Sequence, residues 1–127
     1  KIKNNVFDFS KNILDLISLS DLAISRSGAS TTAELAQTLT PYIAVPYPHS
    51  IDNHQYLNAK YYENKGCCWI LEQDNFNTNN LFNLIIDKIK NKTKLETIRE
   101  NMKKNTSGNV YNDVEYEINR LLRKNEN

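Results

Sequence analysis

The segment Ile24-Ser-Arg-Ser-Gly-Ala-Ser-Thr-Thr-Ala-Glu-Leu35 narrows the fold more than any other part of the chain. Residues 22–24 read as an apolar strand. They run into a short turn holding Gly28, which opens at once into a helix with Glu34 about one turn inside. A strand that delivers a glycine turn to a helix N-terminus builds an anion site. The first N–H groups of the helix have no intrahelical partner, and its dipole favours negative charge. Ala29, Ser30 and Thr31 sit where those N–H groups point outward, and small residues let an anion approach closely. The plain alternative is a capped helix, with Ser27 or Ser30 as the cap. A second segment, Val45-Pro-Tyr-Pro-His-Ser-Ile-Asp-Asn-His-Gln-Tyr-Leu-Asn-Ala59, follows about twenty residues later.

The rest of the chain alternates strands and helices. Residues 6–9 read as the end of a strand. Ser10 is the expected N-cap of a helix over 11–19, with Ile13, Leu16, Ile17 and Leu19 on its apolar side. Strands are expected at 21–25, 42–46 and 67–71, and helices at 30–38 and 53–64. Gly66 is free to end the latter in a left-handed conformation. An amphipathic helix over 78–90 turns Leu81, Leu84, Ile85 and Ile89 inward. Two more helices are expected near 94–104 and 109–123. There is no internal repeat and no two-residue hairpin turn, so the pattern predicts a parallel sheet with helical crossovers.

With 127 residues there is room for one domain and one core. Sixteen basic and fifteen acidic residues leave a net charge of +1, which gives no ground for a nucleic-acid partner. No apolar run approaches the ~18 residues of a membrane span. The chain begins at Lys1 with no initiator methionine or signal peptide and reads as part of something longer. Cys67 and Cys68 are adjacent, a spacing that suits neither an unstrained disulfide nor a metal site. They read as buried free thiols.

Together the two segments resemble the C-terminal, donor-binding half of the MurG family, the bacterial lipid II synthases. The likeness is sharp over 20–35 and 45–66 and extends architecturally over roughly 6–123. It implies a Rossmann-like α/β sheet with helices on both faces, the C-terminal domain of a GT-B glycosyltransferase, truncated at its N-terminal side. In a 3-2-1-4-5-6 strand order the chain would hold the third to sixth strands, with a gap where the first and second belong. The resemblance implies transfer of N-acetylglucosamine from UDP-GlcNAc to lipid I in peptidoglycan synthesis. It implies an enzyme on the cytoplasmic face of the inner membrane, with no cofactor. The acceptor site and the base would lie in an N-terminal domain, so no catalytic residue is expected here. The last helix, with Val110, Val114, Ile118, Leu121 and Leu122 on one side, would pack on that domain.

The same resemblance sets the donor's diphosphate and sugar hydroxyls at Ala29, Ser30 and Thr31, beside Ser27 and Gly28. It gives the ribose diol to Glu34, a carboxylate that can accept two hydrogen bonds; the alternative is a solvated helix glutamate. His54 and Gln55 would meet sugar and diphosphate. Asn58 shares their helix face and has a donor or a structural role. His54 is expected to bind, not to act as a base, since family members also carry an amide there. Phe9 and Ser10 match the uracil position, where backbone groups read the ring; a plain strand end is the alternative. Arg26 either contacts the anion or braces the loop. No metal constellation is present: His49 and His54 flank Asp52 without a third ligand. Leu39 stands where the family usually has glycine, so the turn is either rebuilt around Pro41 or less stable. Ten of the basic residues lie from Lys88 onward, interleaved with Glu, and read as a solvated surface, with attraction to anionic lipid the alternative. The rival readings are a donor-binding subunit of a split UDP-GlcNAc transferase, a non-catalytic nucleotide-sugar module, and a site for another sugar nucleotide such as UDP-galactose. Arg26 and Tyr56-Leu-Asn-Ala59 favour the lipid II synthase over the split enzyme.

Overall fold

Three short parallel strands organise the computed structural model, which describes residues 2–106 and 110–125. They are β1 (Ala23–Ser25), β2 (Tyr42–Ala44) and β3 (Trp69–Ile70), hydrogen-bonded in that order. Ala23, Ile24 and Ser25 face Tyr42, Ile43 and Ala44, and Ile43 and Ala44 face Trp69 and Ile70. The central strand is wholly buried, as its unbroken apolar run requires in a parallel sheet. The helices are α1 (Ile13–Ser18), α2 (Ala29–Gln37), α3 (His54–Asn64), α4 (Thr78–Lys90), α5 (Lys92–Asn105) and α6 (Val110–Asn125). Because α2 and α3 are the crossovers, the turns after β1 and β2 emerge at the same edge of the sheet. That carboxyl edge is where open α/β sheets bind ligands.

The core joins Leu35 and Ala36 of α2, Tyr42 and Ala44 of β2, and Ala59 and Tyr62 of α3. Cys67, Cys68, Ile98, Met102 and Ile118 complete it. Both cysteines are free and buried. Burial pushes the Cys68 thiol up to about 12 and raises Cys67 as well. Neither should react with Ellman's reagent in the native chain at pH 8, and both should react once guanidinium unfolds it.

Several expectations are corrected. Residues 6–9 form no strand; Val6 and Phe9 are 88% and 79% exposed. In the expected order that strand would lie away from β1, and no described segment sits beside it to take its hydrogen bonds. A strand without a neighbour is not stable in water. Ser10 is not a helix cap. Its Oγ accepts from the Asn12 N–H (3.1 Å) in a local turn, and α1 begins after Asn12. Of the expected apolar side of that helix, Ile17 packs on the core while Leu19 is 83% exposed. On α4, Leu81, Leu84 and Ile85 are half-buried, but Ile89 is turned out. On α6, Ile118 and Leu122 pack on this chain's own core; the side chains of Val110 and Val114 lie outside the described residues.

Two left-handed residues close the crossover helices. Gly66 (φ 68°) donates to Glu63 O at 2.8 Å, and Cys67 N–H reaches Tyr62 O at 2.9 Å. A Cβ on Gly66 would meet Asn101 Nδ2 at 2.5 Å, the nitrogen that donates to Gly66 O. Gly66→Ala should therefore cost about 2 kcal/mol in denaturant unfolding, from backbone strain plus the displaced asparagine. At the end of α2 the turn is not rebuilt around Pro41: Leu39 itself takes φ 55°. Its side chain packs against the core. Thr40 Oγ1 donates to Ile17 O (2.9 Å), tying that turn to α1. Leu39→Ala keeps the strain and loses the packing, so it should cost about 1 kcal/mol. Leu39→Gly relieves the strain and should be less destabilising than Leu39→Ala by the same assay.

Candidate functional site

Ser27 is fully buried and fastens the β1–α2 turn to α3. Its Oγ donates to Gln55 O at 2.7 Å, and its own carbonyl accepts from Asn58 Nδ2 at 3.1 Å. The hydroxyl is therefore spent, and neither Ser27 nor Ser30 caps α2. The N-cap is Gly28 (φ −63°, ψ 152°), with no side chain bonded to the helix end. Thr32 Oγ1 also turns away, donating back to Gly28 O and Ala29 O. The N–H groups at the start of α2 thus have neither an intrahelical partner nor a side-chain cap. A Cβ added to Gly28 would meet nothing within 4 Å, so open space lies over that end.

The start of α3 is built by two successive left-handed residues, Asp52 (φ 50°) and Asn53 (φ 58°). Both residue types tolerate this conformation because their short polar side chains bond locally. The kink turns the first residues of α3 toward the β1–α2 turn. Gln55 is held at three points. Its N–H donates to Ser50 Oγ (3.2 Å), its carbonyl accepts from Ser27, and its side-chain Oε1 accepts from the Tyr47 N–H (2.9 Å). With Oε1 committed to the loop, Nε2 remains as a donor with no partner among the described residues. Asn58 is 3% exposed, and its Oδ1 has no hydrogen-bond partner among the described residues.

These groups surround one cavity of about 470 Å³. Gly28, Ala29 and Ala33 of the turn and α2 form one wall. Ser50 and Ile51 line it from the loop, His54, Gln55, Asn58 and Tyr62 from α3, and Ile118 and Asn119 from α6. No lysine or arginine lines it among the described residues, so an anion there would be held by N–H dipoles. His54 Nε2 is 4.0 Å from Asp52 Oδ2. A groove of about 540 Å³ between α3 and α6 is larger. Its cations are already engaged: Lys60 with Glu63, Arg120 with Glu117, and Lys65 over the Tyr61 ring.

Of the residues singled out in sequence, Gly28, Ala29, His54, Gln55 and Asn58 come together around the cavity. Ser30, Thr31 and Glu34 lie on the same helix but outside that lining. Ser30 is exposed, and the Glu34 carboxylate makes no hydrogen bond to another described residue. Phe9 and Ser10 do not line the cavity either. Arg26 braces the loop: Nη1 donates to Val45 O and Pro46 O, each at 3.3 Å, and the guanidinium lies 5.5 Å from the Tyr47 ring centroid. Sequence reasoning did not single out Ala33, Ser50, Ile51, Tyr62 or Asn119 for the site, and it gave Ile118 to a contact with another domain. Ala33 and Tyr62 each lie one turn beyond a chosen residue, Ala29 and Asn58, so helical spacing could have found them. Nothing local marks Ile118 or Asn119.

A parallel α/β layer with an uncapped helix end and oriented amides at its carboxyl edge defines a Rossmann-like domain. More particularly, the chain belongs to glycosyltransferase family 28: the profile of that family's C-terminal domain matches residues 1–114. Its fold is the parallel sheet of a GT-B C-terminal domain, represented here by three strands. The chain is similar to the UDP-N-acetylglucosamine--N-acetylmuramyl-(pentapeptide) pyrophosphoryl-undecaprenol N-acetylglucosamine transferase of Pelagibacter ubique. The two are 36% identical over 124 residues, 98% of this chain and 35% of the relative. The enzyme of the same name from Campylobacter jejuni subsp. doylei is 44% identical over 85 residues, 67% of this chain and 25% of the relative. Among solved structures, Acinetobacter baumannii MurG superposes with a TM-score of 0.73 at 26% identity, over 91% of this chain and 35% of that one. The chain therefore spans about a third or less of the length of these relatives. No helix among the described residues is long and apolar enough to cross a membrane.

Proposed function

We propose that this chain supplies donor binding to an inverting transferase that moves N-acetylglucosamine from UDP-GlcNAc to the C4 hydroxyl of muramic acid in lipid I. The product is lipid II for peptidoglycan, and UDP leaves by direct displacement. The observation that carries this reading is the uncapped N-terminus of α2 opening on a cavity lined by His54, Gln55 and Asn58. The diphosphate sits over Gly28, Ala29, Ser30 and Thr31. There the fixed dipoles of the helix end stabilise the charge that builds on the leaving UDP. Gln55 Nε2, aimed by the Tyr47 bond, donates to diphosphate or sugar. Glu34, whose carboxylate is not otherwise engaged, accepts from the ribose diol. The uracil is read by backbone groups near Phe9 and Ser10.

The relatives extend well beyond this chain, and the remainder supplies what it lacks. The outer edge of β1 receives the other strands of the sheet, and exposed Phe7, Phe9, Leu14 and Leu19 are covered there. The acceptor site, the base and the surface that meets the cytoplasmic face of the inner membrane belong to the N-terminal domain, on which the last helix also packs. The chain alone then binds donor without turning it over. Incubation of the purified chain with UDP-GlcNAc and a lipid I analogue should give no lipid II, while UDP still binds. Turnover by the chain alone would overturn this division of labour.

A further inference from the structure

Resting on the donor-site reading, we propose that Ser50 is a positioning residue: its hydroxyl holds the start of α3 in the place from which Gln55 Nε2 meets the donor. Asn53, at the N-cap of α3, is left-handed and bonds no side chain to the helix end. The Gln55 N–H is one of the helix groups with no intrahelical partner. Ser50 Oγ takes it instead, at 3.2 Å and from five residues upstream. It reaches only because Asp52 (φ 50°) and Asn53 (φ 58°) fold the chain back on itself. Two successive left-handed residues, neither of them glycine, are costly and persist only where surrounding contacts hold them. Ser50 supplies three such contacts. Its N–H donates to Tyr47 O (3.3 Å), its carbonyl accepts from the Asn53 N–H (3.1 Å), and its hydroxyl accepts from Gln55. Of the three, only the hydroxyl bond belongs to a side chain, so a substitution can remove it and leave the other two.

These bonds close a circuit. Tyr47 is tied to Ser50, Ser50 to the Gln55 backbone, and the Gln55 side-chain Oε1 back to the Tyr47 N–H at 2.9 Å. The Tyr47 bond decides which end of the amide faces the loop. It does not decide where the first turn of α3 sits, and a shift of that turn carries Nε2 with it. A binding group works only when held within about 0.5 Å of its productive place by contacts behind it. Ser50 lines the same cavity as Gln55, so its bond to Gln55 is made beside the proposed ligand. Without the hydroxyl, the Gln55 N–H loses its partner in the chain and the kink loses one of its holds. Donor binding must then restore an order that the wild type already has.

The test is a double-mutant cycle. The wild-type chain, Ser50→Ala, Gln55→Ala and the double variant are titrated calorimetrically with UDP-GlcNAc, each first shown to be folded by circular dichroism. Ser50→Ala should weaken binding about fivefold, the effect of one hydrogen bond. In the Gln55→Ala background the same substitution should change affinity by less than about twofold, because no amide is left to position. A merely structural loss would be the same in both backgrounds. Ser50→Thr keeps the hydroxyl and should bind within about twofold of the wild type. Unchanged affinity in Ser50→Ala, an equal loss in both backgrounds, or a Ser50→Thr no better than Ser50→Ala overturns the role of Ser50 and leaves the donor site standing. A folded wild type that does not bind UDP-GlcNAc overturns the donor-site reading and this inference with it.

Discussion

Gly28→Asp should make this chain more stable and unable to bind its nucleotide. Gly28 occupies the N-cap of α2 with extended backbone angles that any residue adopts, and nothing crowds a new Cβ. Aspartate is among the best N-cap residues, and replacing glycine also narrows the unfolded ensemble. The gain should be about 0.5–1 kcal/mol, visible as a higher melting temperature. The same carboxylate would occupy the N–H groups proposed to hold the diphosphate, and would repel it. Like charges about 4 Å apart near a protein surface cost on the order of 4 kcal/mol, so UDP-GlcNAc affinity should fall about 100-fold or more. Few substitutions separate stability and binding in opposite directions. A helix end with no ligand role would show only the rise in melting temperature.

Asn58→Asp should do the reverse and damage the fold. It removes the donor to Ser27 O and sets a carboxylate against that carbonyl in a site that is 3% exposed. The loss should be about 3 kcal/mol or more at pH 8, the cost of an unsatisfied pair with a buried charge. Protonated, the new carboxyl could donate to the same carbonyl. Its pKa in the folded state is therefore raised above that of an unfolded aspartate. Stability relative to wild type should be best at low pH and fall as pH rises through the raised value. Thermal melts from pH 4.5 to 8 read this directly. A difference from wild type that is flat with pH would place the Asn58–Ser27 contact elsewhere.

The helix-end motif was legible because it depends on local order: an apolar strand, a glycine and small residues open a helix whatever follows. Even so, the role of Gly28 became clear only in three dimensions. Its φ is negative, so the glycine is not needed for backbone conformation, and what it provides is room. His54, Gln55 and Asn58 were legible by helical spacing, but the fixing of Gln55 by Tyr47 and Ser50 depends on a loop conformation that spacing does not encode. The strand expected over 6–9 failed for a different reason. Its apolar residues fit a strand, but strand formation depends on neighbours, and sequence pattern does not reveal whether they are present. Leu39 shows the limit of turn chemistry. Glycine is favoured at φ near +55°, yet a leucine holds that conformation because its side chain is anchored in the core. The approach of α6 to the cavity was not legible at all, since it joins residues far apart in sequence through tertiary packing.

The most direct test of the donor site is a calorimetric titration of the folded wild-type chain with UDP-GlcNAc beside Gly28→Asp. The account predicts saturable heat from the wild type and none from the variant, although the variant melts at the higher temperature. Equal binding by the two proteins, or no binding by a folded wild type, would contradict it.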